Sequence, residues 1–577
     1  MNGGSIVAKI LSEHKVKYIF TVCGGHISPI LSESKKNGIR IIDVRHEVNA
    51  VFAADAVSRL TGVPGVAVVT AGPGVTNSVT ALINAKMAQS PLMLIGGASA
   101  TVLRGRGALQ DIDQVSLIRS AVKDVFTVKK NCDFIPALES AFASAVSGVP
   151  GPVFIECPID LLYDEKLVRQ WYGVKSAGGD EHTLRDRITN WYLNRHLDKI
   201  YACDLDTMTH SPLPLTKPLF QSTAPEQAAR MIDKSKQPLL IVGSQALSSP
   251  DFAPGLAEAI STMDIPVYLT GMARGLMGNN HGLQFHHKRS NALAEADLVI
   301  LAGEPCDFRL NYGRSINPRA KTIAINRSKH ELTLNRRPSL AVHGDPAEFL
   351  IACARLIKTG YNRDAWKQVL AGREKERDKE IKQLAGKKTE YINPLLLLEK
   401  MNGVIDETAF MVADGGDFVA TASYILRPGR PLTWLDPGVF GTLGVGAGFA
   451  MGAKVVRPDA DVWLIWGDGA AGYGLMEFDT LVRHGIPVIA VIGNDAGWTQ
   501  IARDQVEYLK DDVATTLRYA DYHGVAESFG AKGFVIDSDD KIDPVLKQAV
   551  EISRNGTPVL INAFIGKTAF RKGSISV

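Results

Sequence analysis

The apolar and polar residues of the first part of the chain alternate between short apolar runs and longer segments with helical spacing. Apolar runs stand at residues 18–22, 39–44, 66–70, 92–96 and 153–156. Strands that alternate with helices in this way form parallel sheets whose two faces are both covered. The sequence therefore predicts an α/β fold that begins with a doubly wound parallel sheet.

The same alternation returns twice, and a chain of 577 residues is too long for a single core. We therefore predict three doubly wound parallel-sheet domains. Further apolar runs stand at 239–242, 267–270, 298–302, 322–325, 410–413, 462–466 and 487–492. The predicted boundaries are 1–165 (first domain), 166–223 (linker or insertion), 224–355 (central domain), 356–392 (charged linker helix) and 393–577 (third domain with a C-terminal tail).

Two segments interrupt the alternation. Residues 166–223 contain apolar side chains at helical spacing, which indicates an amphipathic stretch. We interpret it as a linker helix packed on its own domain, with docking to a partner subunit or a membrane surface as the alternative. Residues 363–388 alternate Lys, Arg, Glu and Asp, a pattern typical of a solvated helix between domains. The apolar positions at helical spacing within residues 166–223 are Leu184, Ile188, Trp191, Tyr192 and Leu197.

Composition and charge exclude several classes of protein. The chain is 45% apolar and 22% charged, with a net charge of +3, so no nucleic-acid partner is expected. No apolar stretch is long enough for a signal or a membrane span, which favours a cytoplasmic protein. The six cysteines are scattered without a C-x-x-C pair, so we expect reduced thiols.

The most informative unit is a βαβ pattern at residues 463–498. Its first apolar run ends in Gly-Asp-Gly at 467–469, and its second ends in Gly-Asn-Asp at 493–495. Neighbouring parallel strands place their carboxyl ends roughly 5 Å apart, so Asp468 and Asn494 are expected to converge. Their oxygens suit Mg²⁺, and the glycines let backbone N–H groups approach a diphosphate. The alternative is an ordinary strand-to-helix turn.

Three side chains that follow predicted strands of the first domain are candidates for proton transfer or substrate contact. Glu47 opens a helix of small and apolar residues, where it is either a general acid/base or a carboxylate that stabilises the helix start. His26 follows two glycines and is either catalytic or structural. Gln110 lies in a loop after the run 92–96 and is either solvated or turned inward.

Glycine-rich turns mark further candidate contacts. The Ala-Gly-Pro-Gly turn at 71–74 leaves the backbone bare for a flat ring, and the segment 438–448 permits close backbone contact with a ligand or close helix–sheet packing. The tail 570–577 is interpreted as a lid over a site or as a frayed end. Loops of the central domain lie where an adenine nucleotide such as ADP binds, but no G-x-G-x-x-G is present, so a scaffold without nucleotide stays an equal alternative. The candidate nucleotide contacts are Asp307, Asn326 and Asp345.

With these features in place, the chain resembles thiamine-diphosphate enzymes of the acetolactate synthase and pyruvate decarboxylase superfamily. The resemblance covers nearly the whole chain and follows the family's order of pyrimidine-binding, central and diphosphate-binding domains. The strings VCGGHISP at 22–29, GNDAGWTQ at 493–500 and GSI at 573–575 are similar to the branch of 2-hydroxyacyl-CoA lyases.

The resemblance implies a role for individual residues. Asp468, Asn494 and the backbone carbonyl of Ala496 would hold Mg²⁺ on the diphosphate of the cofactor. Glu47 of another subunit would bond the pyrimidine ring, which implies a homodimer or a homotetramer. Further thiamine-diphosphate contacts implied by the resemblance are Pro73, Gly74, Asn77, Gly416, Asp417, Gly441, Leu443, Gly467, Gly469, Ala470 and Trp498.

Departures from the family pattern concern the substrate side. His26 replaces small or apolar residues and becomes the leading acid/base toward substrate, while Leu109-Gln110 stands where many relatives have Phe-Gln. Asp417 falls where coenzyme-A-using relatives place an amide beside the diphosphate, an unfavourable place for a carboxylate unless it is paired or turned away. Asn-Asn of the family is Gly493-Asn494 here, and the metal-binding Asn is kept.

The activity implied by the resemblance is reversible cleavage of a 2-hydroxyacyl-CoA to formyl-CoA and an aldehyde shortened by one carbon. His26 would handle the hydroxyl proton, and Gln110 with Trp498 would orient the CoA-thioester substrate. Three rivals stay open at this point: a carboligase that makes acetolactate, an oxalyl-CoA decarboxylase, and a non-catalytic homologue that binds the cofactor.

Overall fold

The computed structural model describes residues 2–173, 184–205, 207–208, 211–358 and 362–572. The chain divides into two compact units, Met1–Thr216 and Lys217–Val577. Within the described ranges, no helix combines the length and the apolar composition that crossing a bilayer requires.

The first unit contains a six-stranded, wholly parallel sheet. Its strands are β1 (Tyr18–Thr21), β2 (Arg40–Asp43), β3 (Gly65–Val69), β4 (Leu92–Ala98), β5 (Asp124–Thr127) and β6 (Val153–Pro158). They lie in the order β2-β1-β3-β4-β6-β5. The ends of β1, β3 and β4 are therefore neighbours, with Thr21 opposite Val68 and Val69 opposite Gly96. Residues that follow these three strands meet at one edge of the sheet.

Helices cover both faces of this sheet. They are α1 (Gly3–Glu13), α2 (Ser28–Lys36), α3 (Glu47–Thr61), α4 (Pro73–Thr76), α5 (Val79–Met87), α6 (Gln114–Ile118), α7 (Phe134–Val146), α8 (Ile159–Leu162), α9 (Glu165–Trp171) and α10 (Leu184–Ile200). Helix α3 is buried along almost its whole length. Its buried Arg59 donates to Asp55 one turn earlier at 2.7 and 2.9 Å, so the two charges that α3 carries into the core neutralise each other.

The central domain is a five-stranded parallel sheet in the second unit. Its strands are β7 (Pro238–Val242), β8 (Val267–Leu269), β9 (Leu298–Ala302), β10 (Lys321–Asn326) and β11 (Leu340–His343), in the order β11-β10-β9-β7-β8. Its helices are α11 (Ala224–Asp233), α12 (Ala253–Met263), α13 (Arg289–Glu295), α14 (Lys329–Leu332) and α15 (Pro346–Ala354).

The charged segment that follows forms one long helix, α16 (Asp364–Ala385). It is not solvated all round, because Trp366 and Leu370 pack into the central-domain core. Glu374 accepts hydrogen bonds from the backbone N–H groups of His286 and His287, which attaches the middle of the helix to the same domain.

The third domain is a six-stranded parallel sheet in the order β13-β12-β14-β15-β17-β16. Its strands are β12 (Phe410–Asp414), β13 (Trp434–Leu435), β14 (Val462–Gly467), β15 (Ile489–Asn494), β16 (Lys532–Ile536) and β17 (Val559–Phe564). Its helices are α17 (Pro394–Val404), α18 (Asp417–Ile425), α19 (Gly446–Val456), α20 (Asp468–Ala471), α21 (Glu477–Arg483), α22 (Thr499–Leu509), α23 (Tyr522–Ser528) and α24 (Ile542–Arg554).

The predicted fold class is confirmed, since all three sheets are parallel and carry helices on both faces. The apolar pattern located the other strands but missed β5, β11, β13, β16 and β17. Four of these strands occupy sheet edges, where a strand is short or partly exposed and its apolar signal is weak. The fifth missed strand, β17, is apolar except for Asn562. All its residues are buried except the last, which is partly buried.

The amphipathic stretch predicted in 166–223 forms helix α10. Its C-terminal residues Leu197 and Ile200 are buried in the core of the first unit, whereas Trp191 is 60% exposed. The helix therefore packs on its own domain at one end. Part of this predicted segment, residues 174–183, 206 and 209–210, lies outside the described residues, as do residues 573–577 of the predicted tail.

The expectation that the cysteines are all reduced thiols is wrong. Cys132 and Cys203 form a disulfide with their Cα atoms 5.4 Å apart, and four cysteines are free. The pairing joins the start of α7 to the segment after α10, and the backbone N–H of Cys203 also donates to Asn131 Oδ1 at 3.2 Å. Spacing along the chain could not reveal it, because the two residues are 71 positions apart and meet only through the tertiary fold.

The disulfide predicts a thiol count. Protein purified without reductant and unfolded in denaturant should show four reactive thiols per chain, and six after reduction. Cys132→Ser should lower the free energy of unfolding by roughly 2–4 kcal/mol, because the cross-link restricts the unfolded chain. Cys23→Ser, at an exposed free cysteine, is the matched control and should leave stability unchanged. Six reactive thiols before reduction would contradict the pairing.

Candidate active site

The strand ends of the third sheet bring the predicted metal ligands together. β14 and β15 are parallel neighbours with Gly467 opposite Gly493, so the residues that follow lie side by side. Asp468 is the first residue of α20 and is almost completely buried. Its Oδ1 accepts the N–H of Gly469 at 2.8 Å, and its Oδ2 accepts the N–H of Gly497 at 3.0 Å. The register brings the backbone of Asp468 and Asn494 side by side, and their role as metal ligands stays a prediction.

Asn494 and Ala496 complete a set of oxygen donors. Asn494 is fully buried, its amide N–H donates to Asn562 Oδ1 at 3.1 Å, and its Oδ1 accepts the N–H of Ala496 at 3.2 Å. Ala496 has φ 52°, a left-handed conformation, and its carbonyl accepts the N–H of Leu517 at 2.8 Å. Each of these oxygens keeps a second lone pair, so the set fits a hard cation such as Mg²⁺.

The electrostatics of this edge also favour a cation. Burial, and next the neighbouring Asp495 carboxylate, raise the pKa of Asp468 to about 7. Burial likewise raises the pKa of Asp495. Two partly desolvated carboxyls side by side are stabilised in their charged forms by a bound cation. Clusters of three or more His, Cys, Asp or Glu side chains suited to a metal are absent from the described residues, so a metal here would depend on this mixed donor set.

Asp414 holds the glycine-dense segment in place, a role that the sequence did not indicate. It ends β12, is fully buried, and accepts the N–H groups of Gly444 at 3.1 Å and Gly446 at 2.8 Å. The indole N–H of Trp466 is its third donor, at 3.0 Å. Burial raises the pKa of Asp414 to about 7, against the effect of its three N–H partners. The only sequence signal was its place at the end of a predicted strand.

Further predicted cofactor contacts lie within the glycine-dense segment 438–448 and at the start of α18. Gly441 is exposed with φ 65°, and Leu443 is half-buried two residues later. Gly416 precedes α18, and Asp417 is its first residue, where it pairs with Arg503. The carboxylate of Asp417 is thus paired with a guanidinium and lies at the N-terminus of a helix, while its role as a cofactor contact stays a prediction.

The turn after β14 is shaped by an aromatic ring. A Cβ on Gly469 would lie 2.5 Å from the Trp498 ring, so only glycine permits this packing. Gly467 ends β14, and Ala470 is buried in α20. The loop that carries the predicted metal ligands is thus fixed to the turn that would receive a diphosphate.

In the first unit, Glu47 occupies the first position of α3 as predicted and is 9% exposed. Asn77 donates its amide N–H to Glu47 Oε2 at 3.0 Å. Asn77 directly follows α4, which begins with Pro73 and Gly74, so two of the predicted cofactor contacts lie on this short helix and the third, which bonds the carboxylate, caps its end.

His26 and Gln110 meet at Thr70, a residue of a turn that stood out in the sequence but to which no role of its own was assigned. Thr70 Oγ1 lies 3.2 Å from His26 Nδ1 and 3.4 Å from Gln110 Oε1. Gln110 has φ 62° and is half-buried. Burial lowers the pKa of His26, so its ring is neutral near pH 7.

The three candidate nucleotide contacts of the central domain are engaged within the protein. Asp345 accepts from Arg327 Nε at 3.0 Å and from two backbone N–H groups of α15. Asn326 bonds Gln245 at 2.8 Å, and Asp307 accepts two bonds from the Arg309 guanidinium at its Oδ2. The prediction that ADP binds here stays a prediction.

A cavity of about 1370 Å³ opens in the second unit between central-domain loops, α16 and the third domain. It reaches Gly415 and Gly416, beside the start of α18. Its acidic lining residues are Glu380 and Asp436. Its basic lining residues are Arg274, Lys288, Arg289, Arg309, Arg377, Lys387, Lys388, Lys567, Arg571 and Lys572.

Comparison with known families agrees with this architecture. The family descriptions "Thiamine pyrophosphate enzyme" match three regions: an N-terminal TPP binding domain at residues 1–117, a central domain at 225–353 and a C-terminal TPP binding domain at 414–563. Three parallel-sheet domains in this order define a thiamine-diphosphate-dependent enzyme, thiamine pyrophosphate being the same cofactor.

Individual relatives narrow the class. The chain is 47% identical to 2-hydroxyacyl-CoA lyase 2 of Danio rerio and 46% identical to that of Homo sapiens, over 100% of the chain and 93% and 92% of the relatives. It is 30% identical to the acetolactate synthase large subunit IlvG of Mycobacterium tuberculosis, over 97% of the chain and 95% of that protein. The chain belongs to the 2-hydroxyacyl-CoA lyase branch of the thiamine-diphosphate enzymes, and the predicted resemblance is confirmed.

Asp414→Asn tests the buried carboxylate. The folded-state pKa of Asp414 lies above its unfolded value, so its contribution to stability is full below about pH 4 and is lost as the pH rises through 7. The difference in unfolding free energy between parent and variant should therefore fall over this range, by at most ~4 kcal/mol. Urea unfolding of parent and variant at about pH 4.5, 6 and 7.5 measures this difference across the range. A difference that grows with pH would show that the charged form is the stabilised one.

Proposed function

We propose that this protein is a reversible 2-hydroxyacyl-CoA lyase. It breaks the bond between the thioester carbon and the hydroxyl-bearing carbon, and releases formyl-CoA and an aldehyde shortened by one carbon. The observation that carries the proposal is the 46–47% identity over the full chain to six proteins named 2-hydroxyacyl-CoA lyase 2. The reverse reaction is an acyloin condensation of formyl-CoA with an aldehyde.

The cofactors proposed are thiamine diphosphate and Mg²⁺. When bound, thiamine diphosphate supplies a carbanion nucleophile and accepts the electron pair of the broken bond. Asp468, Asn494 and the carbonyl of Ala496 would hold Mg²⁺, in keeping with their convergence and spare lone pairs. The N–H groups at the start of α20 would face the diphosphate, where the helix dipole favours negative charge.

Proton transfers are assigned to a buried carboxyl and a half-buried imidazole. Glu47, held by Asn77, would bond the pyrimidine ring of the cofactor and support loss of its reactive proton. His26 would take the substrate's hydroxyl proton, with Gln110 and Trp498 orienting the substrate. The neutral state of His26 near pH 7, which follows from its lowered pKa, suits a proton acceptor.

The assembly proposed is a homodimer or a homotetramer. Glu47 and Asp468 belong to separate compact units, and Glu47 of one chain would serve the cofactor held by Asp468 of another. The proposed site is therefore shared between two copies of the chain, which gives a direct test below.

The basic cavity is proposed to receive the coenzyme A part of the substrate. Ten Lys or Arg side chains line it against two acidic ones among the described residues, and the 3′-phospho-ADP group of coenzyme A carries several negative charges. The cavity extends to Gly416, a predicted cofactor contact. The 3′-phospho-ADP group of coenzyme A would therefore lie in the cavity while the thioester reaches the cofactor.

Acetolactate synthesis is the second candidate, because the mycobacterial relative of that name covers nearly the whole chain at 30% identity. The two activities share every proposed cofactor residue and differ in substrate. Pyruvate is small and free, whereas the basic cavity has room for a nucleotide-sized anion, which favours the CoA thioester.

Product analysis tests the lyase directly. With thiamine diphosphate and Mg²⁺, the protein should convert 2-hydroxyacyl-CoA to formyl-CoA and the shortened aldehyde, and should leave pyruvate unchanged. Glu47→Gln should reduce the rate by roughly 10²–10⁴-fold, because it removes the proposed proton-sharing carboxyl. Mass spectrometry of the acyl-CoA pool measures both. Acetolactate from pyruvate without formyl-CoA would favour the carboligase, and CO₂ from oxalyl-CoA would favour the decarboxylase.

Co-expression of Glu47→Gln and Asp468→Asn chains provides the control for a shared site. A mixed dimer contains one site with both native residues, so activity should return although each variant alone is inactive. No recovery in isolated mixed dimers would place Glu47 and Asp468 of the same chain in one site.

Lys387→Ala/Lys388→Ala tests the cavity. These exposed lysines follow α16 and line the cavity, so the double variant should raise the KM for 2-hydroxyacyl-CoA by roughly 3- to 30-fold with little change in kcat. The pantetheine thioester lacks the phosphoadenosine group and should show no change. Lys379→Ala in α16, outside the cavity lining, is the matched charge control. An equal rise in KM for both substrates would show that these lysines do not bind the nucleotide part of coenzyme A.

A further inference from the structure

His26 is wedged between two strand ends of the first sheet. A Cβ on Gly24 would lie 2.5 Å from Thr70 Cβ, and a Cβ on Gly97 would lie 2.6 Å from His26 Cβ. Both positions therefore require glycine for the loop after β1 to approach β3 and β4 so closely. The position of the imidazole is fixed by this packing, and one ring nitrogen is directed at Thr70.

Thr70 links His26 to Gln110 through one hydroxyl. His26 Nδ1 lies 3.2 Å from Thr70 Oγ1, and Gln110 Oε1 lies 3.4 Å from the same oxygen. The loop of Gln110 is held by buried Gln114, whose Oε1 accepts the N–H of Gly72 at 3.2 Å and whose Nε2 donates to the carbonyl of Gly97 at 2.8 Å. The three-residue chain is thus fixed at both ends.

Proton counting along this chain selects one tautomer of His26. The carbonyl oxygen of Gln110 can only accept, so the single hydroxyl proton of Thr70 is donated to it. Thr70 Oγ1 then acts as the acceptor for His26, which requires the proton of the neutral ring to lie on Nδ1. Nε2 is left with a lone pair and without a proton.

We propose that Thr70 is a positioning residue that holds His26 as the Nδ1–H tautomer, so that Nε2 is the atom that accepts the hydroxyl proton of the substrate. This inference rests on the proposed lyase function. It assigns to Thr70 a positioning role that is exerted through His26.

Protons and electrons balance in the cleavage step. The O–H bond of the substrate breaks and an N–H bond forms at Nε2, while the O–H electron pair becomes the second bond of the aldehyde carbonyl. The pair of the broken C–C bond remains with the thioester fragment. That fragment later takes one proton to become formyl-CoA, and the imidazolium of His26 can return it, so no outside reactant is consumed.

The test compares Thr70→Val, which keeps the shape and removes the hydroxyl, with Thr70→Ser, which keeps the hydroxyl. Thr70→Val should lower kcat by about 10- to 100-fold at a KM within about 3-fold of the parent, because only part of the ring population has the useful tautomer. Thr70→Ser should recover most of kcat. In the His26→Ala background, Thr70→Val should have no further effect on kcat.

A spectroscopic readout keeps this test separate from the lyase assignment. In ¹⁵N-histidine-labelled full-length protein, the His26 signals, identified by their loss in His26→Gln, should show a protonated Nδ1 and an unprotonated Nε2. Thr70→Val should shift them toward a mixture, and Thr70→Ser should not. If the tautomer is as stated but no lyase activity is found, the proposed function fails and the positioning stands. An Nε2–H tautomer in the parent, or an equal loss of kcat on Thr70→Val without His26, overturns the inference.

Discussion

The structure depends on placing carboxylates inside the protein at the ends of parallel strands. β12 and β14 are neighbours, and each delivers an acid, Asp414 and Asp468, into surroundings with little water. Within the described part of the chain, no Lys or Arg hydrogen-bonds to either carboxylate; both are held mainly by backbone N–H groups, supplied by loops that must fold back onto the sheet. An unpaired buried charge is expensive, so the loops that bring these donors are fixed by the acids they satisfy. The glycine-dense segment 438–448 and the loop that carries the proposed metal ligands acquire their shapes in this way.

The fold and the proposed metal ligands were accessible from the sequence for one reason. Parallel strands end at a common edge, so polar residues directly after apolar runs can be located without a structure. Asp468, Asn494 and Glu47 all follow this rule. The resemblance then supplied the cofactor, and the family comparison confirmed the class.

Other features were not accessible because they depend on distances between segments far apart in the chain. Thr70 lay inside a predicted strand and looked like an ordinary β-branched residue, yet its hydroxyl lies between His26 and Gln110. Asp414 looked like one more strand-end acid until its three donors were seen. Cys132 and Cys203 carry no signal in their spacing, and their pairing follows only from the position of α10 beside α7. The charge pattern predicted a solvated helix for α16, and it could not show that sparse apolar residues, such as Trp366, attach one side of this helix to the central-domain core.

The packing around His26 has a consequence for how this branch of enzymes can vary. The two residues that determine where the imidazole stands, Gly24 and Gly97, do so because they have no side chain. Selection on catalysis therefore acts on positions that a comparison of pocket-lining side chains would overlook. A lineage that replaced either glycine would have to move the whole loop after β1, and would need a different residue to take over the substrate's proton. Exchange of the acid/base residue between branches is then coupled to backbone geometry, so it should occur together with changes at these two glycines.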